Sequence, residues 1–243
     1  MLCQITALGG YSLEFPDGDY MASKVANGRP AEERLLKAAS VLAGGGLVVD
    51  AGAHAGNHTV YLAKTGCTVV ALEPNVVIRE YLHRNINCNK LGSRVQVLAC
   101  GVWDHPAKGV VVAGPKDHTG MARINEMPNG EVDLVALDDL GLSPSLIKID
   151  VEGSEMAALR GARQTVQAHK PAIFVEAHTD LDAVTAMLRP LGYHRLGGHW
   201  AQSPTYLFVA RRQQLRRVTP QLAASLPIAV RTTASNLRHP WAS

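Results

Sequence analysis

Val48-Val49-Asp50-Ala51-Gly52-Ala53-His54-Ala55-Gly56-Asn57-His58-Thr59, residues 48–59, reads as a buried strand, a tight turn and the start of a helix. Gly52 lets the backbone turn and come close to a ligand, and Gly56 lets the following helix pack against the strand. The helix start offers unpaired N–H groups. The spacing is D-x-G-x-x-x-G, not the G-x-G-x-x-G of dinucleotide folds, and His54 stands where a second glycine would admit a pyrophosphate. An acid ending the strand suits a positively charged ligand better than a polyphosphate.

Working outward, apolar runs alternate with amphipathic helices. Strands are expected at 47–49, 68–72, 95–98, 146–151 and 172–177, with helices at 56–64, 76–89, 155–169 and 180–188. This order predicts βαβ units and an α/β fold around a parallel sheet. Two further β-like runs, 109–113 and 132–137, flank a Gly/Pro-bearing middle, and 193–196 with 205–210 form a closing hairpin. Upstream, 2–15 reads as a hairpin ended by Pro16-Asp17-Gly18, 19–30 as a loop, and Pro30 opens a helix to about Leu42 that Gly44-Gly45-Gly46 stops. The expected division is an N-terminal hairpin and substrate cover at 1–30, a ligand-binding domain at 31–212 and a basic tail at 213–243.

Composition narrows the class. An apolar fraction of 47% over 243 residues supports one large core, and no run approaches a membrane helix. No basic segment followed by an apolar run opens the chain, so the cytoplasm is the default compartment. Cys3, Cys67, Cys88 and Cys100 are scattered, which argues against a zinc site or disulfide framework. From Ala183 onward there are eight Arg and no acid, leaving residues 1–182 at −5 within the net +3. Such an end is a solvated tail or steers acidic partners.

Two acidic positions give the loop a chemical context. Glu73, in Leu72-Glu73-Pro74-Asn75, ends the next strand and can accept hydrogen bonds from both hydroxyls of a ribose; the competing role is a cap on the following helix. With Asp50 this points to S-adenosylmethionine, held by Asp50, Gly52, His54, Gly56, Asn57, Glu73 and Pro74, with Gly101 and Asp150 completing the expected set. Ile147-Lys148-Ile149-Asp150-Val151-Glu152-Gly153-Ser154-Glu155 is a second strand-loop-helix, and Val175-Glu176-Ala177-His178 ends the next strand. In an open parallel sheet all of these reach the rim where ligands bind.

In this order, D-x-G-A-x-x-G-N-x-T, E-P-N, L-D-D-L, I-K-I-D-V-E-G-S-E and V-E-x-H, the chain resembles the FkbM family of methyltransferases over roughly residues 48–178. His54 departs from the Asn usual there. The resemblance implies a Rossmann-like class I methyltransferase fold: a mostly parallel seven-stranded sheet, helices on both faces and an antiparallel C-terminal strand. It also implies methyl transfer from S-adenosylmethionine to an oxygen of a sugar or secondary metabolite. The acceptor hydroxyl needs a base, for which His178 has the natural pKa, and Asp150, Glu152 and Glu176 are the alternatives. Those carboxylates could instead hold a divalent cation, although no metal-ligand motif indicates one. Asp138 and Asp139 read as a turn and cap. The expected partner is a small hydroxylated substrate, with phosphorylated or carrier-bound forms left open. The competing readings are an RNA ribose methyltransferase using the basic end, a non-catalytic S-adenosylmethionine-binding module and a nicotinamide-dependent oxidoreductase. The loop 102–131, with Trp103, His105, Lys116, His118, Met121 and Arg123, is expected to shape the acceptor pocket with 1–30.

Overall fold

The computed structural model describes residues 2–6, 8, 10–25, 28–114 and 119–210. The basic tail at 213–243, with Trp241, and the pocket residues Lys116 and His118 therefore lie outside the described residues. In chain order the elements are β1 (Leu2–Ile5), β2 (Tyr11–Glu14), α1 (Tyr20–Lys24), α2 (Glu33–Ala43), β3 (Leu47–Ala51), α3 (Asn57–Lys64), β4 (Thr68–Leu72), α4 (Val76–Cys88), β5 (Val95–Leu98), β6 (Cys100–Trp103), β7 (Ala107–Val112), β8 (Arg123–Glu126), β9 (Val132–Ala136), β10 (Leu146–Ile149), α5 (Glu155–Arg160), α6 (Arg163–His169), β11 (Ala172–Glu176), α7 (Leu181–Leu188), β12 (His194–Leu196) and β13 (Thr205–Val209).

Seven strands form one sheet in the order β5-β4-β3-β10-β11-β13-β12. Pairs among β5, β4, β3, β10 and β11 are parallel, and β13 runs antiparallel to both its neighbours. Parallel strands need both faces covered, and the sequence supplies this by period-two alternation of apolar residues. Val48, Val69, Ala71 and Leu146 enter the core that carries α2, α3 and α4, whereas Val49, Ala51, Val70, Ile147 and Ile149 enter the core that carries α5, α6 and α7.

The hairpin β1–β2 packs into the main core. Ile5, Tyr11, Leu13 and Phe15 are buried in the same core as Leu35, Leu62 and Leu82. The free edge of β2 is closed by two side chains four residues apart, one on α4 and one at its C-terminal cap. Asn85 accepts from the Glu14 N–H at 2.6 Å and donates to the Glu14 carbonyl at 2.8 Å, and Asn89 does the same for Ser12 at 3.0 and 2.7 Å.

Three local expectations change. Residues 19–30 contain the short helix α1, because the Asp19 side chain caps it by accepting from the Met21 N–H at 2.8 Å. The helix expected over 155–169 is two helices. At Gly161 a Cβ would sit 2.0 Å from the Trp103 carbonyl, so the chain turns at a glycine and restarts. Asp138 caps the restart, accepting from the N–H groups of Gln164 and Thr165 at 3.0 and 2.7 Å. The runs at 109–113 and 132–137 belong to a separate four-stranded sheet, β6-β9-β7-β8, inserted between β5 and β10.

No helix among the described residues is long and apolar enough to cross a membrane. Trp200 lies in the core against Phe174, its indole N–H donating to the Leu196 carbonyl.

Candidate active site

A cavity of about 1000 Å³ opens at the carboxyl ends of β3, β4, β10 and β11. Of the residues predicted to bind a cofactor, Gly52, His54, Asn57, Glu73, Pro74, Gly101 and Asp150 line it. Asp50 and Gly56 are not among the lining residues, and packing accounts for the place of each.

Asp50 is completely buried. Its Oδ2 accepts from the Thr59 hydroxyl at 2.6 Å, and its Oδ1 lies 3.4 Å from Lys148 Nζ. The acid is thus a counter-ion to Lys148 inside the sheet. Gly56 begins α3 at a positive φ of 94°, and a Cβ there would meet Leu82 of α4 at 2.7 Å, so it serves packing against α4 instead of β3. Gly52 keeps its expected turn, at φ 79°, but for a sharper reason: a Cβ would fall 1.7 Å from the Asp150 carbonyl oxygen, where β3 and β10 converge.

Glu73 is free of the competing role. The cap on α4 is Asn75, whose Oδ1 accepts from the N–H groups of Val77 and Ile78. Glu73 instead receives the backbone N–H of His54 on one oxygen and that of Asn75 on the other, both at 2.8 Å, which fixes a buried carboxylate at the cavity wall. Burial pushes its carboxyl up to about 7, against those two hydrogen bonds and the charges of Lys148 and Arg79.

Lys148 is the residue whose role the sequence reading missed. It lies beside Asp50 across the β3–β10 pair, donates to the Gly52 carbonyl at 2.9 Å and stands 3.2 Å from Asp150 Oδ2. Burial opposes its charge, but Asp150 and Asp50 outweigh burial and raise its pKa above the usual lysine value. The available signal was a lysine inside a buried I-K-I run, which requires a counter-ion.

Asp150, Glu152 and Glu176 converge, with one oxygen of each within 4.8 Å of the others, and His178 Nε2 lies 3.3 Å from Glu176 Oε1. All four line the cavity. Burial works against the Asp150 charge, yet Lys148 and a hydrogen bond from Glu176 hold its pKa below the usual range. Burial pushes Glu176 up to about 9, with the Asp150 charge and that shared hydrogen bond adding to it. Glu152 is pushed up to about 7 by burial and by the charges of Asp150 and Glu155. It sits at φ 51°, a left-handed conformation for a non-glycine residue, in a loop that Glu155 ties down by accepting from the N–H groups of Val151 and Gly153. His178 has a mostly exposed side chain.

Three more wall residues went unread in the sequence: Asp19 and Thr119, linked to His54, and Glu32, which faces His58 at 2.9 Å. Asn57 donates to the Ala31 carbonyl, and its buried Oδ1 has no hydrogen-bond partner among the described residues. A buried acceptor without a protein partner can take a donor from a water or a ligand. Together with the fixed Glu73 carboxylate, it fits a ligand with ribose hydroxyls and an ammonium group.

Residues 50–195 match the family model described as the methyltransferase FkbM domain. No curated protein matches the chain. Among solved structures, it is similar to the methyltransferase FkbM from Methylobacillus flagellatus KT, at 26% identity, a TM-score of 0.48, and coverage of 67% of this chain and 42% of that one. This chain therefore spans less than half the length of that protein. It is also similar to a methyltransferase from Geobacter sulfurreducens, at 13% identity and a TM-score of 0.50, covering 75% and 80% of the two chains. A third similarity is to precorrin-6y C5,15-methyltransferase from Geobacter metallireducens GS-15, at 18% identity and 0.45, covering 74% and 87%. The fold is the Rossmann-like class I methyltransferase fold.

Proposed function

The chain belongs to the FkbM family of methyltransferases, and from that premise we propose that it moves a methyl group from S-adenosylmethionine to a hydroxyl oxygen of a small molecule such as a sugar. S-adenosylmethionine supplies, when bound, a methyl group already activated on a sulfonium. Glu73, His54 and Asn57 are the residues that would hold it.

The observation that carries the reading is the carboxylate cluster of Asp150, Glu152 and Glu176 in the same cavity as Glu73. Of these, Glu152 is the proposed base. Its carboxyl, pushed up to about 7, matches the range in which a base both is ionised and takes a proton well. Asp150 is held too acidic, and Glu176 keeps its own proton. Glu176 and Asp150 then orient the acceptor hydroxyl, with His178 beside Glu176 at the exposed edge. The cavity wall carries seven carboxylates against three Lys or Arg, one of which is the paired Lys148. That balance supports a neutral acceptor over a phosphodiester.

The test is transfer of labelled methyl to a panel of hydroxylated acceptors and to RNA. The expected result is product on a small acceptor, a loss of about 10²–10⁴-fold in rate for E152Q, and S-adenosylhomocysteine affinity within twofold of the parent. Label on RNA ribose would overturn the small-molecule reading. Binding without transfer to any acceptor would favour the non-catalytic module.

A further inference from the structure

Three segments far apart in sequence meet at one side chain of the cofactor loop. His54, at φ 51°, has its ring Nε2 2.8 Å from Thr119 Oγ1. Thr119, on the connection between β7 and β8, donates its hydroxyl to Asp19 Oδ2. Asp19 is almost wholly buried, and its Oδ1 accepts from the Met21 N–H. All three residues line the cavity.

The chemistry sets the direction of this chain. A carboxylate only accepts, so the single Thr119 hydroxyl proton goes to Asp19. The Thr119 oxygen then accepts from His54, which places the ring proton on Nε2. Burial lowers the His54 pKa against the opposing charge of Asp19, in keeping with a neutral ring that carries one proton. The other ring nitrogen, Nδ1, is then an acceptor, and it has no hydrogen-bond partner among the described residues. A neutral histidine is an acceptor or a donor at a given nitrogen according to its tautomer. The His54 position therefore gains a defined hydrogen-bonding character only through a partner that fixes the tautomer. Asp19 lies outside residues 50–195, in a segment the family model does not cover.

We propose that Asp19 and Thr119 are positioning residues for the cofactor: the Asp19–Thr119–His54 relay locks the Nε2–H tautomer of His54, so that Nδ1 is presented to an N–H or O–H donor of S-adenosylmethionine. The proposal rests on the cofactor reading above. It makes the N-terminal segment a working part of the cofactor site through hydrogen bonding and not through bulk cover alone.

Two measurements on the full chain test it. Nitrogen NMR of histidine-labelled protein, with His54 assigned by its loss in H54N, reports the tautomer directly. The expected spectrum has Nε2 protonated in the parent and in T119S, and a mixed tautomer in T119V. Titration with S-adenosylhomocysteine should give an affinity about five- to tenfold weaker for T119V, in line with one lost hydrogen bond, and recovery to within twofold for T119S. Against an H54N background, T119V should change the affinity less than twofold, because the relay then has nothing to position. A proton on Nδ1 in the parent, or a T119V affinity within twofold of the parent, would overturn the proposal while leaving the cofactor reading intact. Absence of binding to the parent would overturn both. If T119V is misfolded, the NMR tautomer of the parent decides alone.

Discussion

Replacing Lys148 by Met removes the one cation from a buried three-charge arrangement. Its ammonium lies 3.4 Å from Asp50 and 3.2 Å from Asp150, and its side chain is 6% exposed. At an effective dielectric of about 20 each contact is worth about 5 kcal/mol of Coulomb attraction. Several kcal/mol per ion of lost hydration offset this in the parent. In K148M that cost stays on the two carboxylates while the attraction is gone, so the loss should be about 3–5 kcal/mol, a large share of the roughly 5–15 kcal/mol that holds a domain together. The loss must also depend on pH. The parent holds the Asp150 pKa below its unfolded value, which stabilises the fold above that value and fades as pH falls. Without Lys148, burial should raise the Asp150 pKa, so protonation rescues the variant on acidification. Urea unfolding at pH 8 and pH 5 measures this: the difference between K148M and parent should be about 3–5 kcal/mol at pH 8 and clearly smaller at pH 5. A loss under about 1 kcal/mol, or one equal at both pH values, would refute the ion-network reasoning. D50N/K148M should be more stable than K148M alone, since Asn leaves one buried charge fewer.

E73Q should weaken S-adenosylhomocysteine binding about 10–100-fold, the range for a hydrogen bond to a charged group, read by calorimetry; an unchanged affinity would remove Glu73 from the ribose. Because burial raises the Glu73 carboxyl to about 7 and that of Glu152 to about 7, the ligand-free protein should lose stability as pH rises from about 4.5 through 7. N85A removes the fully buried side chain that joins β2 to the Ala55 carbonyl of the cofactor loop. It should cost about 2–3 kcal/mol, with amide exchange accelerated first in residues 11–14.

The sheet was legible because its signal is local. Each parallel strand carries its own apolar run, and the loop after Asp50 announces a turn through two glycines. Glu73 and the Asp150–Glu176 cluster were legible because the ends of parallel strands share a rim. What could not be read depends on distant partners. Asp50 reads as a ligand contact, and only the β3–β10 register shows its pairing with Lys148. A five-residue helix such as α1 has no periodicity and exists by virtue of its Asp19 cap and buried Ala22. The break at Gly161 is set by Trp103, 58 residues upstream. The link between Asp19 and Thr119 spans 100 residues and leaves no pattern in either segment.

The most direct measurement is a calorimetric titration of the purified chain with S-adenosylhomocysteine and, separately, with NAD. One-to-one binding of S-adenosylhomocysteine, with no heat from NAD, is the expected result. Binding of NAD, or no binding of S-adenosylhomocysteine, would contradict the assignment of the cavity beside Glu73 to a methyl donor.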